Sequence, residues 1–127
     1  MPHFIIECSQ DILQMIAPDE LMDAVYDTTD ATGIFAPNDI KVRIQSFSHF
    51  KLGSNKTNFL HVFGYIMEGR TTEQKANLSK TITARLRKLL PSTSFLSVSI
   101  SEFEAATYCN SSLINPRNTN HDRHFEL

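Results

Sequence analysis

The sequence predicts a small α/β (α+β) domain, ordered β-α-β-β-α-β, in which one sheet carries two helices on a single face. Two apolar, partly β-branched segments open the two halves of the chain. Each is followed by a stretch of helical period, and each helix by a segment of strict alternation. The polar run Lys51 to Asn58, with Gly53 and Ser54 as turn formers, divides one half from the other. A length of 127 residues fits one domain spanning 1–127, a size that buries about two thirds of the unfolded chain's surface.

The first strand is read from Pro2 to Cys8, around Phe4, Ile5 and Ile6, and so starts at the second residue. Ile12 to Ile16 shows no settled period. Pro18 at a first helical turn, Asp19 and Glu20 beside it, and Leu21, Val25 and Thr28 on one face predict a helix, which Gly33 ends. From Asp39 to Phe47, Ile40, Val42 and Ile44 alternate with Lys41, Arg43 and Gln45, a strand with apolar residues on one face and two cations on the other. Phe59 to Met67 is the third strand. Thr72 to Leu90 is the second helix, about 28 Å long, with Leu78, Ile82, Leu86 and Leu89 on its apolar face. Thr71 and Gln74 have capping-box spacing, and Arg85, Arg87 and Lys88 followed by Pro91 mark its end. In the last strand, Phe95 to Phe103, Leu96, Val98 and Ile100 alternate with serines. The tail from Asn110 to Leu127 is polar and Asn-rich, and no role is read from it. Right-handed crossovers make each β-α-β pair parallel and put both helices on one face. The uncovered face then predicts a symmetric oligomer.

Composition excludes several classes. A hydrophobic fraction of 41% and a charged fraction of 20% are ordinary for a globular chain, and no apolar run approaches the roughly 18 residues of a membrane span. No export signal is read at the amino terminus, so a cytoplasmic protein is expected, with Cys8 and Cys109 as free thiols. A net charge of -2, without a clustered basic face, speaks against nucleic-acid or membrane-surface partners.

The chemistry depends on Pro2. Inside the chain its nitrogen is a tertiary amide with neither proton nor basicity. If Met1 is removed it becomes a secondary amine, and burial with nearby cations such as Arg70 and Lys41 would favour its neutral form as a general base. Arg70 precedes the capping Thr71, where a helix terminus and a guanidinium fork together suit a carboxylate. Read alone, Arg70 is equally a surface residue after a turn, and Lys41 and Arg43 a solvated charged strand face.

The opening Met1-Pro2-His3-Phe4-Ile5-Ile6-Glu7-Cys8-Ser9, the internal Ala31-Thr32-Gly33-Ile34-Phe35 and Gly69-Arg70 before the long helix resemble the 5-carboxymethyl-2-hydroxymuconate isomerases of the tautomerase superfamily. The resemblance runs over nearly the whole chain. It implies a homotrimer of β-α-β-β-α-β subunits without metal or organic cofactor. It also implies an enzyme of aromatic-compound catabolism, in homoprotocatechuate degradation, that moves a proton within an unsaturated keto-enol di- or tricarboxylate. Pro2 falls on the family's catalytic proline, and Arg70 on an arginine that binds and polarises the substrate. Lys41 stands where the family has its other active-site arginine, and keeps the charge without the planar fork. Arg43 matches a family arginine on the same strand face.

His3 is expected either to assist the proline or to be structural, and His49, His61, His121 and His124 lack metal-ligand spacing. Cys8 has no partner that would make it a nucleophile. Phe59, Phe63 and Tyr65 are assigned to a subunit interface rather than to a ligand. Two other functions fit the same residues: a tautomerase of another unsaturated 2-oxo acid, favoured by Lys41, and a binding protein on the same scaffold.

Overall fold

The computed structural model describes residues 1–114. Its elements are β1 (His3–Ser9), α1 (Ile12–Met15), α2 (Pro18–Ala31), β2 (Lys41–Phe47), β3 (Phe59–Met67), α3 (Thr72–Leu89), β4 (Phe95–Phe103) and a closing 3-10 turn at Ser111–Ile114. The predicted architecture is the observed one, with one four-stranded sheet in the order β2-β1-β3-β4. β1 runs parallel to β2, β3 parallel to β4, and the two halves meet where β1 and β3 pair antiparallel. Among the described residues no helix is long and apolar enough to cross a membrane. Residues 115–127 of the tail lie outside the described residues.

The helices form where their caps and apolar stripes agree. Thr71 accepts from the Gln74 backbone N–H while the Gln74 side chain accepts from Thr71, which satisfies two donors at the start of α3. Pro18 occupies the first turn of α2, and Gly33 follows its end at φ 71, a left-handed conformation that costs glycine nothing. Leu21 and Val25 from α2 and Leu78, Ile82 and Leu86 from α3 are fully buried. They cover Phe4, Ile6 and Cys8 of β1 and Leu60, Val62 and Ile66 of β3.

The differences from the sequence reading are local. The buried threonine of α2 is Thr29 rather than Thr28, because the buried face widens through Ala24 and Val25 and Thr29 lies one turn on from Val25. The stretch without a period is the single turn α1, held to the core by Ile12. Pairing starts at His3 and Lys41 rather than at Pro2 and Asp39, and α3 stops one residue early, with Leu90 as its cap.

Gly64, in the middle of β3, is required by contact rather than by backbone conformation. A Cβ there would come within 2.8 Å of both the Phe4 ring and the Ile100 side chain. Phe4 is wholly buried in the innermost strand and has little room to move. Gly64→Ala is therefore expected to cost on the order of 1–3 kcal/mol despite improving strand propensity, read as a lower midpoint in urea unfolding at fixed protein concentration.

Candidate active site

β1 is an inner strand, so the start of the chain lies between the start of β2 and the end of β3. Pro2 is buried, and its carbonyl accepts from the Lys41 backbone N–H at 3.1 Å, one step beyond the β1–β2 ladder. That bond ties the residue before β1 to the strand carrying both predicted cations. The terminal ammonium of Met1 donates to the Asp39 carboxylate at 2.5 Å. Lys41 Nζ donates to the Asp39 carbonyl at 2.6 Å and approaches its carboxylate at 3.4 Å. Partial burial pushes the Asp39 carboxyl up, but the hydrogen bond and charge of the terminal ammonium, with Lys41, bring it below its ordinary value.

Arg43 follows on the same strand face, and its Nη1 lies 3.2 Å from His3 Nδ1. A guanidinium only donates, so Nδ1 is the acceptor and the imidazole proton sits on Nε2. Burial, then Arg43, Lys41 and the terminal ammonium, lower the His3 pKa below its usual value, while Asp39 opposes them. The ring also packs edge-on against Phe103 at 6.0 Å between centroids.

Arg70 sits just past β3, at the same end of the sheet, but is held differently. Its Nη2 donates to the Ile34 carbonyl at 2.7 Å and its guanidinium lies over the Phe35 ring at 4.8 Å. Phe35 in turn meets Phe4. The depression beside it is lined by Gly33, Ile34, Glu68, Gly69, Arg70 and Gln74. The capping box already occupies donors at this end of α3, and Glu68 adds negative charge, so the helix terminus is less open to an anion than Thr71 and Arg70 suggest in sequence. The structure thus gathers Pro2, Lys41 and Arg43, and links Arg70 to β1 through Phe35.

Asp39 is the member that sequence reasoning missed. Asp39 N–H bonds the Ala36 carbonyl at 3.3 Å, closing a turn with Pro37 and Asn38 at its centre and Asn38 at φ 64. Proline followed by asparagine is the signature of a type II turn, and it delivers the next residue to the strand entrance. Cys8 is a buried free thiol with its pKa raised to about 11 by burial and by Asp11, in keeping with a structural role. Among the described residues no three His, Cys, Asp or Glu side chains gather as metal ligands.

The family model for 5-carboxymethyl-2-hydroxymuconate isomerase matches residues 2–117. Among solved structures, a 5-carboxymethyl-2-hydroxymuconate isomerase from Deinococcus radiodurans R1 superposes with TM-score 0.75 at 24% identity, over 86% of this chain and 87% of that one. A 5-carboxymethyl-2-hydroxymuconate delta-isomerase gives 0.73 at 17% identity, over 87% of each chain. A native fused 4-OT gives 0.71 at 15%, over 86% of this chain and 92% of that one. No curated protein matches the chain significantly in sequence.

Two pH effects follow from the imidazoles. His3 and His61 are both depressed, His61 by burial against a weaker opposing effect of Glu7. Their contribution to stability is complete above the unfolded value near 6.5 and is lost as pH falls through the lower folded values. Arg43→Leu is expected to raise the His3 midpoint toward 6.5, observed by NMR titration of its ring protons.

Proposed function

The chain belongs to the 5-carboxymethyl-2-hydroxymuconate isomerase family, and from that premise we propose that it isomerises 5-carboxymethyl-2-hydroxymuconate with terminal Pro2 as the base. The family match and the fold make the chain an isomerase of tautomerase type. The substrate and the residue roles are our reading. The observation that carries it is the buried Pro2, held by its carbonyl to the backbone of Lys41 with Arg43 two residues on.

With Met1 removed, the Pro2 amine takes a proton from the 2-hydroxyl or a carbon of the conjugated acid and returns it elsewhere on the same system, so no net proton is lost. Lys41 and Arg43 bind carboxylates, and Arg70 binds and polarises the 2-oxo end. For Arg70 this requires that the substrate replace or share the Ile34 carbonyl. The lysine gives a less directional contact than an arginine fork, which favours the second reading, a tautomerase of a related unsaturated 2-oxo acid.

We also propose a cytoplasmic homotrimer. Free Cys8 and Cys109 fit a reducing compartment. The sheet face away from the helices carries a row of rings: His61 and Phe63 at 4.3 Å, Phe63 and Tyr65 at 6.5 Å, Tyr65 and Phe103 at 6.1 Å. Such an aromatic surface needs a cover, and a second and third copy of the chain supply it.

Pro2→Ala in protein with Met1 confirmed absent is expected to lower kcat on the order of a hundredfold with little change in KM. Unchanged turnover would remove Pro2 from the mechanism. Arg70→Ala is expected to raise KM and lower kcat, losing about 2–4 kcal/mol of transition-state stabilisation. Phe63→Glu is expected to convert a trimer into monomers in light scattering. A wild-type monomer would contradict the assembly.

A further inference from the structure

Met1's ammonium is the end of the chain in the structure, and it is paired with Asp39. One residue spans at most about 3.6 Å of chain, so the Pro2 nitrogen lies within about 6 Å of the carboxylate oxygen that now holds Met1. Removing Met1 leaves the carboxylate in place, since its position is set by the Pro37-Asn38 turn and by Lys41. It also leaves Pro2 in place, because the bond from Lys41 N–H reaches the Pro2 carbonyl, which stays within the chain.

We propose that Asp39 is a positioning residue for the reaction, the anion that pairs with the freed Pro2 amine and sets the pH at which it becomes a base. The proposal rests on the reading of Pro2 as the catalytic amine. The groups facing the terminus are Lys41 and Arg43 from β2 and His3 from β1, with Tyr65 of β3 opposite His3 and Glu68 and Arg70 beyond the end of β3. Lys41 and Arg43 favour the neutral amine, and Asp39 favours the ammonium. Asp39 is suited to this because a partly exposed carboxyl beside Lys41 is ionised at neutral pH. It carries no proton in the reaction. Its effects are to orient the amine and to hold Lys41, through the contacts at 2.6 and 3.4 Å, beside the position a substrate carboxylate would take.

The test is a titration of Met1-free protein labelled with 15N-proline. The terminal secondary amine alone among the five prolines titrates. In Asp39→Asn the Pro2 midpoint is expected to fall by about one pH unit, and in Asp39→Glu to return most of the way. Lys41→Met, which removes a cation from the same carboxylate, is expected to move the midpoint up. The acid limb of kcat/KM should follow the midpoint in each variant. A midpoint unmoved by Asp39→Asn overturns the proposal, whatever the activity. A midpoint that moves while the acid limb stays fixed supports the pairing and counts against Pro2 as the base.

Discussion

The hydrogen bond from the Lys41 backbone to the Pro2 carbonyl is the constraint on which the site depends. It exists because β1 is an inner strand, bounded by β2 on one side and β3 on the other. Pro2, the residue before β1, is buried there. The amine is confined where two strands start and a third ends, and partial burial there weakens the solvation of any charge. The cations of β2 gain their relevance from the same register, which puts Lys41 beside His3 and Arg43 beside Ile5.

Two opposing demands meet at that terminus. A base near neutral pH needs its ammonium form disfavoured, and Lys41, Arg43 and burial all act in that direction. The amine also has to be held in one direction, and a carboxylate with the right reach does this while favouring the charged form. Asp39 is itself held by Lys41, so the lysine that would bind substrate also limits how strongly the carboxylate acts on the amine. Arg70 shows a comparable compromise. Its guanidinium is placed by the Ile34 carbonyl and the Phe35 face, which orders it in advance and which, under the proposed function, a substrate would have to displace.

Much of this was legible in the sequence, for physical reasons that differ by element. α3 announces itself because capping box, apolar spacing and terminal charges all agree, and β2 and β4 because their alternation matches the pleat. α1 did not, since four residues are too few to show a period. Alternation marks Lys41 and Arg43 and the place before the capping Thr71 marks Arg70, while the opening residues mark Pro2 and the family resemblance supplies their roles. What they touch was not legible. The Arg70 contacts to Ile34 and Phe35 join residues 36 and 35 positions apart, and Asp39 acquires its role only from strand register and a turn. Both are tertiary facts with no local signature beyond Pro37-Asn38.

The central claim is that the chemistry resides in a secondary amine that exists only once Met1 is gone. The most direct measurement compares turnover of 5-carboxymethyl-2-hydroxymuconate by two preparations of one sequence, with Met1 retained and Met1 removed, each verified by intact mass. In the retained form the Pro2 nitrogen is an amide, and the account predicts a loss of turnover on the order of a hundredfold or more. Equal turnover by the two forms would contradict it.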